Sequence, residues 1–255
     1  MILTDTHTHL YYERDPIALE QLMQRSLNEG VGRLFLPNVD VESIPLVMNL
    51  AKHYPENCFP MLGLHPCDVK DNYEQELKQI QQEIAQKKIY AIGEIGIDLY
   101  WDKTSLDRQI LAFKAQINWA KELDLPIVIH CRDAFEQVYE VLKELQHEGL
   151  RGIFHCFTGS VEQAHQIIEL GFYLGIGGVV TYKNAGLDAV VAQIPLEHLV
   201  LETDSPYLAP VPYRGKPNES SYLIHIAQKV ADLHQVSLAT IAEITTRNSQ
   251  KIFGI

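Results

Sequence analysis

Short apolar or β-branched runs alternate along this chain with longer segments of helical periodicity, and most of the runs end on, or are followed at once by, a His or a Glu. The runs are Ile2 to Thr6, Arg33 to Pro37, Phe59 to Leu64, Ile89 to Gly93, Ile127 to His130, Gly152 to His155, Phe172 to Ile176 and His198 to Glu202. Between them lie stretches such as "PIALEQLMQRSLNEG", "SLDRQILAFKAQINWAKELDL" and "VEQAHQIIELG", with apolar residues near i, i+3, i+4 and i+7 and several with a closing glycine. Strands separated by helices of that length pair in parallel, because a parallel neighbour needs a long crossover.

Eight such units in 255 residues predict an α/β fold, a closed (β/α)8 TIM barrel, as one domain over residues 1–255. An open doubly wound sheet is the competing arrangement. Its glycine-rich first turn is missing, since "GIGGVV" offers Gly175 and Gly177 and then Val180 where a third glycine is needed.

Composition narrows the function classes. Thirty-three acidic residues against 21 Lys and Arg give a formal net charge of -12, which excludes a broad basic nucleic-acid face. The N-terminus lacks a secretory pattern, and no apolar run approaches the roughly 18 residues that span a bilayer. Cys58, Cys67, Cys131 and Cys156 form no C-x-x-C pair. A cytoplasmic chain with reduced thiols, free of membrane contact, is expected.

In a barrel the carboxyl ends of the strands share one rim, where active sites are built. "TDTHTHL" brings His7 and His9 there, two residues apart and so on one face of an extended strand, with Asp5 behind them. Thr8 between them faces the other way, where variation should be harmless. Glu94, His130, His155, Glu202 and Asp204 close four further runs. Four imidazoles with two or three carboxylates at one mouth suit two divalent metal ions, with Zn, Mn and Mg all compatible with the donor types. Glu94 is placed to bridge, and Asp204 to bind a metal and accept a proton from an attacking water, making these two the expected catalytic carboxylates.

Arg132, two residues past His130, is a candidate phosphate contact, as are Arg214 and Lys216 in the loop "SPYLAPVPYRGKPNE", which also carries Tyr207 and Tyr213. Weak, strongly salt-sensitive capture centred on those three cations is expected. His65 in "GLHP" is a further substrate or supporting contact. Cys131 and Cys156 each follow a rim histidine and should turn into packing, and Trp101 is expected as a hydrophobic lid. His53, His147, His165, His198, His225 and His234 should lie off the rim.

Read in order, "DTHTHL", "GLHP", "AIGEIGIDLYWD", "LPIVIHCRDAFE", "GIFHCFTGS", "GIGGVVTYKNA", "LVLETDSPYLAP" and "RGKPNESSYL" resemble the TatD-family metal-dependent deoxyribonucleases, within the amidohydrolase-like barrels, nearly end to end. The resemblance implies that His7, His9, Glu94 and Asp204 hold one ion and Glu94, His130 and His155 the other, with Asp5 and Glu202 behind them. It implies a phosphodiester substrate, DNA trimmed from a single-stranded or frayed end, acted on by a monomer without an obligate protein partner. The alternatives are a small-molecule amidohydrolase or lactonase on the same barrel, and a non-catalytic metal-dependent binding protein. Many barrels of the former kind bridge their metals with a carboxylated lysine on strand 4, whereas no lysine lies between Ile89 and Gly96 here.

Overall fold

Side chains from alternate strand positions divide between two apolar clusters, and that division defines the architecture. In the computed structural model, which describes residues 2–255, Leu34 and Leu36, Ile127 and Ile129, and Leu199 and Leu201 pack outward against helices. Phe35, Val128 and Val200, the residues between them, face inward with Phe59, Met61 and Ile153. Phe253, from the last helix, stacks on Phe35 at a centroid distance of 3.7 Å and joins this inner cluster. The interior is a packed core, as a small parallel barrel requires.

The strands are β1 (Leu3–Asp5), β2 (Val31–Pro37), β3 (Cys58–Met61), β4 (Ile92–Asp98), β5 (Ile127–Arg132), β6 (Gly152–Phe154), β7 (Phe172–Ile176) and β8 (Leu199–Leu201). All pair in parallel, in the orders β1-β2-β3 and β4-β5-β6-β7-β8. Two seams complete the (β/α)8 barrel. Between β3 and β4, Leu62 bridges Ile92 and Gly93 N donates to Leu62 O at 3.0 Å. Between β8 and β1, Thr6 N donates to Leu201 O at 3.0 Å, and Asp204 N to His7 O at 2.9 Å.

The helices cover the outside: α1 (Pro16–Asn28), α2 (Ile44–His53), α3 (Tyr73–Ile84), α4 (Leu106–Leu123), α5 (Phe135–Leu145), α6 (Val161–Glu169), α7 (Leu187–Val191), α8 (Leu223–His234) and α9 (Leu238–Phe253). Side chains cap the starts of α1, α6 and α9. Asp15 accepts the N–H of Ile17 and Ala18 ahead of a Pro at N1, and Ser160 and Gln163 form a reciprocal capping box on α6.

The main departure from the sequence reading is β4, which runs three residues later at its start and five later at its end than the expected Ile89 to Gly93. Ile92 and Ile95 pair with Ile127 and Ile129, so β4 carries one extra residue across that interval. Strict alternation from the outward Ile92 would send Glu94 outward as well. The bulge reverses the parity, leaving Ile95 and Ile97 outside and aiming Glu94 into the barrel mouth. Glu94 therefore sits within the strand and Asp98 ends it. Gly96 follows at φ +144°, where a Cβ would meet His130 O at 2.0 Å, so β4 and β5 approach too closely there for any other residue.

Candidate metal centre

Past the end of β1 the chain remains paired to the segment after β8, through Thr8 and Ser205 and through His9 N, which donates to Ser205 O at 2.7 Å. That clamp brings His7 and His9 beside Asp204, whose left-handed φ of +56° turns its side chain back toward them. The Nε2 atoms of His7 and His9 are 3.3 Å apart. His7 Nε2 lies 3.1 Å from Glu94 Oε2 and 3.9 Å from Asp204 Oδ1, and His9 Nε2 lies 3.8 Å and 3.5 Å from the same atoms.

The other carboxylate oxygen of Glu94 faces a different group. Its Oε1 is 2.7 Å from His130 Nδ1, 3.4 Å from His65 Nε2 and 3.6 Å from His155 Nε2. Imidazoles from β1, β5 and β6 and the 62–65 segment thus meet one buried glutamate from two sides.

The ring nitrogens pointing away from this focus are mostly held. His130 Nε2 lies 2.8 Å from Asp98 Oδ2, His155 Nδ1 lies 2.9 Å from Glu202 Oε1, and His9 Nδ1 lies 2.9 Å from Tyr11 Oη. Asp98 behind His130 turns the other nitrogen of that ring toward Glu94, the arrangement that metal-binding histidines need, whereas Nδ1 of His7 and of His155 is buried without a well-aligned hydrogen bond. His65 differs. Its Nδ1 accepts the backbone N–H of Cys67 at 3.1 Å, which suits Nε2 to donate, although the ligand atoms of His65, Glu94 and His130 also lie within reach of one ion.

The electrostatics also favour a cation. Burial opposes the charged form of Glu94, yet the surrounding His65, His7 and His155 hold its carboxyl well below the usual range. At His155 burial is outweighed by Glu202 and Glu94, and the ring is pushed up to about 10. A buried site that draws a proton this strongly draws a divalent ion by the same field. The donor set of neutral imidazoles and carboxylates fits such ions, and the groups His7–His9–Glu94 and His7–His155–Asp204 each have their ligand atoms within metal-binding reach.

Asp5 is fully buried and supports backbone rather than a ring: it accepts from Thr203 N at 2.9 Å, Thr203 Oγ1 at 2.6 Å and His7 N at 3.3 Å. Burial pushes it up to about 7 against those hydrogen bonds. Together they lock the turn that presents Asp204.

The cluster forms the floor of a cavity of about 680 Å³, whose walls include Tyr12, Trp101, Arg132, Thr158 and Tyr207. Arg214 and Lys216 lie outside those walls. Arg214 rests on the Tyr182 ring at 4.2 Å, Tyr213 stacks on Tyr222 at 3.9 Å, and Lys216 is exposed on the same loop. None of the six histidines expected off the rim lines the cavity.

Two expectations are corrected. Cys156 lines the cavity instead of packing behind it, whereas Cys131 borders the cavity and also packs against the outer apolar cluster, as expected. Strand alternation does not govern Cys156, which follows the end of β6 at a left-handed φ of 49° and donates its N–H to Glu202. Thr8 is buried at 0% exposure, with Oγ1 2.6 Å from Ser205 Oγ and accepting from Ser220 Oγ at 3.3 Å, so it is part of the β8–β1 seam and not a free spacer. Asp98 and Tyr11 were missed as supports of the site. Asp98 stands in the quoted "AIGEIGIDLYWD" block, but placing the end of β4 at Gly93 hid it.

The model of a family described as TatD related DNase matches residues 4–254. The chain belongs to this TatD family. A protein of Bacillus subtilis (strain 168) named uncharacterized metal-dependent hydrolase YabD is 42% identical to it, over 100% of both chains. The Escherichia fergusonii protein named 3'-5' ssDNA/RNA exonuclease TatD is 34% identical, over 92% of this chain and 93% of its own. The crystal structure of YjjV, a TatD homologue from Escherichia coli K12, superposes with a TM-score of 0.93 at 30% identity and covers 99% and 98% of the two chains. This TatD-family member is a metal-dependent hydrolase on a (β/α)8 barrel. Among the described residues no helix is long and apolar enough to cross a membrane.

Proposed function

We propose that this hydrolase is a nuclease that trims DNA from an unpaired end, using two divalent ions shared by Glu94. The observation that carries the reading is the division of the Glu94 carboxylate, with Oε2 toward His7 and His9 and Oε1 toward His130 and His155. On that basis His7, His9, Glu94 and Asp204 would hold one ion, and Glu94, His130 and His155 the other. Bound there, a pair of ions supplies an activated water near neutral pH and offsets the charge that builds on the phosphoryl and leaving oxygens.

The residues of the chain do the positioning. Asp204 lines the cavity and faces both histidine groups, which suits it to take the proton released by the attacking water. His65, whose Nε2 is suited to donate, gives a hydrogen bond to a non-bridging phosphate oxygen. Arg132 grips the same or the adjacent phosphate from the wall, and Tyr207 flanks the mouth. Asp5 and Glu202 keep the Asp204 turn and the His155 ring in place.

The test strips the metals with a chelator, restores Mg, Mn or Zn singly, and follows end-labelled single- and double-stranded DNA beside an Asp204→Ala control. Stepwise shortening restored by metal and absent in the control is the expected result. Two bound ions per chain with no cleavage of any strand would reject the nuclease and move the substrate to a lactone or amide on the same centre.

A further inference from the structure

Among the described residues only one Arg or Lys side chain, Arg132, lines the catalytic cavity, while exposed aromatic rings surround its mouth. A chain of net charge -12 that presents one side-chain cation beside the metal centre to a polyanion gains from a source of affinity other than charge. Trp101 is 71% exposed and Tyr100 53%, against 8% for Trp119, the other tryptophan. Two adjacent rings this open beside a cavity form an apolar patch, and it is contiguous patches, not single exposed side chains, that mark binding surfaces.

Their arrangement is fixed. Asp98 Oδ1 accepts the N–H of Tyr100 at 2.9 Å and of Trp101 at 3.2 Å, which pins the loop after β4. The Arg132 guanidinium lies over the Tyr100 ring at 3.8 Å and beside Trp101 at 5.6 Å, and the two rings meet edge to face at 89°. Arg132 makes no ion pair with any described carboxylate, so its N–H groups remain free for a phosphate while its plane is held by the ring below.

We propose that Trp101 is a stacking platform for one unpaired nucleobase, whose adjoining phosphate is taken by the Arg132 held on Tyr100. Resting on the nuclease reading, this names the recognised group as a base presented by its face. A paired base inside a duplex hides that face, so the platform selects single-stranded or frayed ends and tolerates every base, because each has a π-face. Affinity then comes from stacking more than from charge. This revises the salt-sensitive, three-cation grip expected from the sequence.

The experiment uses metal-loaded enzyme with short single-stranded oligothymidylate and a blunt duplex of equal length. A phosphorothioate-linked oligothymidylate serves for binding, followed by tryptophan fluorescence. Base stacking should quench the exposed Trp101 signal and leave that of buried Trp119. Trp101→Ala should raise KM for the single strand about tenfold or more with a smaller change in kcat, and Trp101→Phe should restore most of the loss. The slope of log affinity against log salt should lie between about -0.7 and -1.4, one phosphate for Arg132 and one for the metal centre.

An unchanged KM and no quenching in an enzyme that does cleave the single strand would overturn the platform alone, as would a salt slope of about -3 or steeper. Quenching of Trp101 by the oligonucleotide in an enzyme that cleaves no nucleic acid would support the platform and reject the nuclease reading.

Discussion

The Asp98 carboxylate holds His130 from behind, with Oδ2 2.8 Å from Nε2, while its other oxygen caps the loop that carries Trp101. Burial of Asp98 opposes its charge, but the bonds from His130 and from the Trp101 and Tyr100 N–H groups win, bringing the carboxyl down to about 2. With Nε2 held by Asp98, His130 presents Nδ1 toward Glu94 as the atom that would bind an ion. Asp98→Ala should therefore cost about 10- to 100-fold in metal affinity, the range seen when the outer partner of a metal-binding histidine is removed. Chelator competition on the folded variant checks this, and affinity equal to that of the parent would show that His130 is held in some other way.

Thr8 stands between two rim histidines yet acts on the opposite side, in the seam that joins the end of β8 to β1. Its hydroxyl shares a hydrogen bond with Ser205 Oγ at 2.6 Å and accepts from Ser220 Oγ, all within buried surroundings. Thr8→Val keeps the shape and strands both partners, so it should cost about 1–3 kcal/mol of stability. Thr8→Ser, which keeps the hydroxyl, should lose less. Urea unfolding of the two variants makes the comparison, and a Thr8→Val protein as stable as the parent would show that the hydroxyl does not hold the seam.

Most of this site was legible because parallel barrels put strand ends on one rim, so apolar runs closing on His7, His130, His155 and Glu202 could be gathered without coordinates. The side chains proposed as ligands lie together around Glu94. What the sequence hid is what depends on register and on bulges. Apolar patterning cannot show that β4 gains a residue between Ile92 and Ile95, and without that residue Glu94 would point outward and Asp98 would have no place in the site. The cations of the 211–217 loop were equally unreadable, because whether Arg214 reaches the cavity or lies on Tyr182 depends on how a long loop folds back. Thr8 misled because strand alternation says which way a side chain points and nothing of what it meets.

Arg25 and Glu219 tie α1 to the segment after β8 through an acid-sensitive ion pair. From α1, Arg25 donates through Nε to Oε1 at 2.8 Å and through Nη2 to Oε2 at 2.6 Å, and the Ser221 hydroxyl donates to the same carboxylate. Burial raises the Glu219 pKa, and the bonds from Arg25 and Ser221 outweigh it, leaving the carboxyl below its ordinary 4.5. The unfolded chain then takes up this proton at higher pH than the folded one. The pair's contribution is full above 4.5 and is lost as pH falls through the depressed folded value. Because the Arg25 side chain is 48% exposed, solvent screening keeps the pair to about 1 kcal/mol or less near neutral pH. Arg25→Ala should lower stability by that amount at neutral pH, and the gap to the parent should close as acid protonates Glu219. Urea unfolding across a pH series reads the gap directly, and one that stays constant into acid would mean that Arg25 acts through the packing of its aliphatic stem.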